Sequence, residues 1–217
     1  MLEIRITPEA LPPWGPTLGA TLAALLTRSV AMGVLGGKPV TRLDGAVVKR
    51  LATALQRHGI GANAGLIWAP LADEPAKAID EATQRRVAEG LVRLNDALEA
   101  SATPSTEWPS MRGVFGDDLL VELLGVGASS LRRYASGERA TPDDVAARLH
   151  WLAMVVADLA GGYNDFGIRR WFERPRNQLD GKSPRQVLGA SWTPDDAGAT
   201  RVRALASVLS GAQPLAA

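Results

Sequence analysis

Between Asp117 and Arg139 the chain reads Asp-Asp-Leu-Leu-Val-Glu-Leu-Leu-Gly-Val-Gly-Ala-Ser-Ser-Leu-Arg-Arg-Tyr-Ala-Ser-Gly-Glu-Arg, a set of side chains suited to holding a polyanion rather than to breaking bonds. Three small residues, Ala128, Ser129 and Ser130, precede Arg132, Arg133, Ser136 and Arg139. Small polar side chains let a helix end approach phosphates, and arginine reaches the paired acceptors of guanine or a backbone phosphate. The spacing predicts a short helix burying Leu119, Leu120, Leu123 and Leu124, ended by a left-handed Gly125. Val126 then fills the turn, and a second helix runs from near Gly127 to Gly137. This is the pattern of a helix-turn-helix, whose second helix enters the major groove. On that helix Leu131 and Tyr134 or Ala135 face inward, leaving Ala128, Ser129, Arg132, Arg133 and Ser136 outward. The competing reading is a helical hairpin with solvated arginines.

Other chemistry has little to stand on. The chain has no cysteine and two histidines, His58 and His150, which excludes thiolate metal sites, redox motifs and disulfide scaffolds. No paired-carboxylate motif, phosphate-binding glycine loop or metal spacing appears, so no enzyme, cofactor or metal is expected. A second group of positive charge stands at Arg169, Arg170, Arg174 and Arg176, against Glu173 alone. DNA flanks, a protein partner and water are all open as its surroundings.

The elements that must position these groups are mostly helices. With 217 residues the chain fits one large domain or two small ones, and 46% hydrophobic with 22% charged residues is an ordinary globular balance. Leu2–Thr7 alternates apolar and polar residues as a strand does, with residues 66–68 as its expected partner. Leu22, Leu25 and Leu26 predict one helix, and Val48, Leu51 and Leu55 another that ends at Gly59. A longer helix is expected from an Asp73 cap through Ile79, Thr83, Val87, Leu91, Leu94 and Leu98, its stripe serving as core or as a dimer seam. Residues 100–110, rich in Ser, Thr and Pro, read as a linker.

Beyond it, Thr141-Pro142-Asp143-Asp144, Ser183-Pro184-Arg185-Gln186 and Thr193-Pro194-Asp195-Asp196 mark three helix starts. The first leads an amphipathic stripe of Val145, Leu149, Leu152, Val156 and Leu159, and the last leads Val202, Leu205 and Leu209. The fold class is therefore mainly α: an N-terminal helical domain with a minor short-strand pair, then an all-α helix-turn-helix and a small helical domain. The expected divisions are residues 1–105, 112–162 and 163–217. Basic and acidic residues number 24 and 23, twenty of the former being arginine. Any nucleic-acid role must thus be local rather than a bulk coating of charge. Leu18–Leu35, interrupted by Arg28, is neither a signal peptide nor a membrane span, and a cytoplasmic location without membrane contact is expected.

The string Leu-Gly-Val-x-x-x-Ser-Leu-Arg-Arg-Tyr-x-Ser-Gly-x-Arg at residues 124–139 resembles the helix-turn-helix of Xre-type regulators. Gly127 stands where those proteins usually have a capping Ser or Thr, and Met111–Gly116 is too short for a preceding helix, so the long helix before the linker or a truncated fold must serve. Downstream, Trp171, Pro175, Leu179-x-Gly181-x-Ser183-Pro184 and Val187-Leu188 resemble the C-terminal domain of the Xre/MbcA/ParS family of type II antitoxins. Together the resemblances cover about residues 112–211; none attaches to residues 1–105. They imply a homodimer that binds operator DNA and neutralises a cognate toxin, often a RES-domain enzyme that consumes NAD, from an adjacent gene. In that family the C-terminal domain binds the toxin, which makes Arg169, Arg170, Arg174, Arg176, the last helix and the Gly211–Ala217 tail candidates for partner contact. A stand-alone transcription regulator and a protein-only adaptor are the alternative functions.

Overall fold

The computed structural model describes residues 14–36, 40–61, 65–73 and 78–209, which form two units divided between Ser101 and Ala102. The expected strand at Leu2–Thr7 and the Gly211–Ala217 tail lie outside the described residues.

In the first unit, α1 (Pro16–Ala31) opens with proline at its first position, where no backbone donor is needed. Its Leu18, Leu22, Leu25 and Leu26 are buried, and the helix packs along α4 (Glu81–Glu99). Val87, Leu91, Leu94 and Leu98 of α4 are buried as their spacing predicts. Its cap is Asp80 rather than Asp73: the Asp80 carboxylate accepts from Thr83 N–H at 2.9 Å. Arg28 of α1 bonds Asn95 Oδ1 at 3.2 Å and pairs with Glu99 at 3.6 Å. Helix α2 (Gly45–Arg57) is capped by Asp44, which accepts from Val47 N–H at 3.0 Å, and ends before a left-handed Gly59.

The expected strand partner at residues 66–68 is instead part of a helical turn, α3 (Gly65–Trp68), continued by the 3-10 turn Ala69–Leu71. A four-residue apolar run does not distinguish strand from helix by periodicity, and α3 packs on α4. A Cβ at Gly90 of α4 would lie 2.4 Å from Ile67 Cγ2, so the missing side chain is what admits Ile67.

The second unit is built on α5 (Pro104–Leu124), α6 (Ala128–Ala135), α7 (Asp143–Leu159), α8 (Asp165–Glu173), α9 (Pro184–Leu188) and α10 (Ala197–Leu209), with a 3-10 turn at Asn177–Leu179. The segment read as a linker is helical from Pro104 onward. Trp108, Met111, Val114 and Phe115 are buried at helical spacing, and this packing outweighs the poor helix propensity of its Ser, Thr and Pro. Residues 104–115 thus form a helix immediately ahead of residues 117–124, where the sequence suggested too little chain for one.

Helix α7 packs against both α5 and α10, so residues 112–162 and 163–217 share one core. Every residue from Arg148 to Ala157 is buried, in place of the single expected stripe. Thr141 does not cap α7; its Oγ1 accepts from the Trp108 indole N–H at 2.9 Å, and the helix begins after Pro142. The Ser183–Gln186 capping box forms reciprocally. In α10 the buried residues are Ala199, Val202 and Ala206, whereas Leu209 is exposed. The described residues form an all-α architecture, in which no helix is long and apolar enough to cross a membrane.

Candidate nucleic-acid interface

Leu119, Leu120, Leu123 and Leu124 turn the second part of α5 inward, as predicted. Gly125 follows at φ 64°, ψ 33°, and Val126 N–H returns to the Val121 carbonyl at 3.2 Å, closing the helix end. Glycine is required here twice over, because a Cβ on Gly125 would also stand 1.9 Å from the Ala190 carbonyl oxygen.

The second helix, α6, has eight residues and spans about 12 Å, close to the width of the major groove. Leu131 is fully buried and Tyr134 nearly so, while Ala128, Ser129, Arg132, Arg133 and Ser136 are exposed; Ser130 is half-buried. Gly127 offers no side-chain cap, so the exposed first-turn N–H groups of α6 are left to solvent or to an anion.

What holds α6 comes mainly from a region the sequence did not flag. Trp108 stacks on Tyr134 with ring centroids 6.2 Å apart, while its indole is pinned by Thr141. One residue earlier, Glu107 is completely buried and its Oε1 lies 2.6 Å from His150 Nδ1. Glu107 Oε2 has no hydrogen-bond partner. Nothing in the sequence around either residue signals this buried pair, which links α5 to α7.

The arginines divide by what they touch. Arg133 Nε lies 3.4 Å from Glu138, and Arg139 sits over the Tyr134 ring at 5.5 Å. Arg132 is exposed near Asp117. Bonds from Arg112, at 2.6 and 2.9 Å, hold the Asp117 carboxyl below the usual carboxylate range, with a smaller contribution from the Arg132 charge.

The cluster at residues 169–176 does not form one surface. Arg169 is turned inward onto α5, where it bonds the Phe115 carbonyl and the Asp118 carboxylate. Arg176 lies 4.6 Å from the Trp171 ring centroid, and burial pushes its pKa below the ordinary arginine value. Arg170 and Arg174 remain exposed. With Phe166, Glu173 and Pro175 they line a shallow open cleft, in which Phe166 is 65% exposed and lies beneath Arg170.

Trp171, Phe172, Leu179 and Leu188 are buried, with Val187 half-buried. Among the described residues no group of three or more acidic or histidine side chains could hold a metal ion. No family model, curated protein or solved structure matches the chain.

Proposed function

We propose that this chain is a sequence-specific DNA-binding protein of the type II antitoxin kind, which autoregulates its operon and holds a cognate toxin through the region from about Asp165 onward. The observation that carries the DNA reading is the exposed face of α6. Ser129, Arg132 and Arg133 point outward from a helix whose other face, Leu131 and Tyr134, is bolted to the core. A rigid helix with an exposed serine and arginine edge meets the geometric need of base readout. The near-balance of charge means that one such helix neutralises few phosphates, so affinity rests on dimerisation and base contacts. The toxin part rests on the family resemblance, with the Phe166, Arg170 and Arg174 face as a suitable contact.

The test is binding to a duplex taken from immediately upstream of the protein's own coding sequence, compared with an unrelated duplex of equal length. Arg132→Ala is expected to weaken the upstream duplex by about 5- to 150-fold if it reads a base, since such a contact is worth roughly 1–3 kcal/mol. If it holds a phosphate, both duplexes weaken alike and the salt slope drops by about one unit. Unchanged binding by both Arg132→Ala and Arg133→Ala would remove the assignment. Protection of two half-sites about one helical turn apart supports a dimer. Co-purification with the product of an adjacent gene tests the toxin.

A further inference from the structure

Helix α5 is one helix by hydrogen-bond pattern but two by geometry. At Gly116 the backbone takes φ 69°, ψ 166°, a region essentially reserved for glycine. The break separates residues 104–115, which carry Trp108 and Glu107, from residues 117–124, the first helix of the helix-turn-helix. A break of this kind strands carbonyls on one lip and amides on the other. One guanidinium reaches across the break: Arg169 of α8 donates Nη1–H to the Phe115 carbonyl on one side and to both oxygens of the Asp118 carboxylate on the other, from Nη1 at 3.2 Å and from Nη2 at 2.5 Å. A Cβ on Gly116 would lie 2.8 Å from both Arg169 Nη1 and Asp118 Oδ1, so it would displace the two groups that meet over the break. The Asp118 carboxyl is held below the usual carboxylate range first by its bond from Arg169, and the Arg169 pKa is raised by the same bond. Next to it, Arg112 forks onto Asp117, so the two acidic residues at the start of residues 117–124 are each gripped by an arginine.

Resting on the DNA-binding reading above, we infer that Arg169 is a positioning residue of the DNA-binding unit, a clasp by which α8 fixes the angle of α5 at Gly116 and so the placement of α6. Residues 117–124 lead through the tight Gly125 turn directly into α6, while the other face of α6 is stacked on Trp108 from the far side of the break. The recognition helix is therefore tied to both halves of α5, and the hinge angle between them sets where it lies. Two side chains span that hinge, Arg112 from within α5 and Arg169 from α8, and only Arg169 ties it to a second helix. Arg169 is unavailable to a protein partner while it does so, which separates it in role from its neighbour Arg170.

The test uses the full chain with Arg169→Met, which keeps the apolar stem and loses the bonds, and Arg169→Lys, which keeps the charge but cannot fork. Three readouts are taken: melting temperature, affinity for the upstream duplex against the unrelated duplex, and amide hydrogen exchange of residues 117–136 without DNA. The expected result for Arg169→Met is an upstream affinity about tenfold weaker with unrelated-duplex affinity little changed, together with faster exchange in residues 117–136. Arg169→Lys falls between. Equal weakening of both duplexes with a salt slope reduced by one, and unchanged exchange, makes Arg169 a phosphate contact and overturns the clasp. If Arg169→Met does not fold, Arg169→Lys decides: wild-type exchange and wild-type discrimination in that variant overturn the proposal. If the wild-type protein does not distinguish the two duplexes, the DNA reading fails; exchange in residues 117–136 unchanged in both variants then overturns the clasp as well, and faster exchange retains it as a fixture of the fold.

Discussion

The buried pair of Glu107 and His150 makes the sharpest prediction about stability. Glu107 is 0% exposed and His150 8%; one carboxylate oxygen is bonded to the ring nitrogen at 2.6 Å and the other is bonded to nothing. His150→Leu would leave that carboxylate buried with neither oxygen paired, and breaking a buried pair from one side typically costs about 3–5 kcal/mol. For a unit of this size that corresponds to a loss of roughly 10–20 °C in melting temperature. The double variant Glu107→Met/His150→Leu replaces the pair by apolar groups and is expected within about 1 kcal/mol of wild type, or above it, because the desolvation of both groups is removed together.

Urea unfolding followed by tryptophan fluorescence reads this well: Trp108, Trp151, Trp171 and Trp192 lie in the second unit, and only Trp14 and Trp68 in the first. A cost under about 1 kcal/mol for His150→Leu, or a double variant less stable than His150→Leu alone, would refute the reasoning. The DNA affinity of the double variant carries a second lesson. On the DNA reading, if the pair sets how α5 lies against α7, Trp108 is misplaced under Tyr134 in the double variant, and discrimination between the upstream and the unrelated duplex falls although stability does not.

Three further outcomes are expected. Gly125→Ala places a Cβ 1.9 Å from the Ala190 carbonyl on a φ 64° backbone, and costs at least about 2 kcal/mol in denaturant unfolding. Asp118 has its pKa depressed by Arg169, so the stability it contributes is full above the ordinary carboxylate range and is lost as pH falls through the lowered value; melting scans from pH 7 downward should show a shallower acid limb in Asp118→Asn than in wild type, and parallel curves would refute this. Phe166→Ala, at an exposed site, should shift stability by no more than about 0.5 kcal/mol; on the toxin reading proposed above it should also weaken capture of the adjacent gene product in a pull-down.

The parts of this architecture legible in the sequence are those fixed by local geometry. Gly125 ends its helix because the left-handed turn needs glycine, and Ser183 with Gln186 forms a box because the two side chains and two amides lie within one turn. The outward face of α6 follows from Leu131 and Tyr134 three residues apart. What escaped depends on partners far along the chain. Pro104 to Ser110 reads as a linker by composition, yet Trp108, Met111 and Phe115 keep a helical stripe that only the core of this unit rewards. The all-round burial of α7 arises because both α5 and α10 pack on it, which a single amphipathic stripe does not announce. Arg169 belongs to a basic run by sequence, but its partners lie about fifty residues upstream.

The balance of 24 basic and 23 acidic residues takes its meaning from how the arginines are used. Arg112 and Arg169 are committed to Asp117 and Asp118, Arg133 leans on Glu138, Arg139 covers Tyr134 and Arg176 covers Trp171. Among the described residues, Arg132, Arg170 and Arg174 make no ion pair, and only Arg132 lies on α6. Exposed pairs such as Arg133 with Glu138 are worth at most about 1 kcal/mol, so a phosphate competes for that arginine easily. A fork onto a carboxylate that also closes a helix break is exchanged less readily. On the DNA reading, α6 thus offers few mobile charges and its surroundings several fixed ones, which favours a weak non-specific hold by this helix and a strong dependence on its placement. Selection for selectivity would then act on the residues that set that placement, Gly116, Trp108 and Arg169, as much as on the side chains that touch the bases.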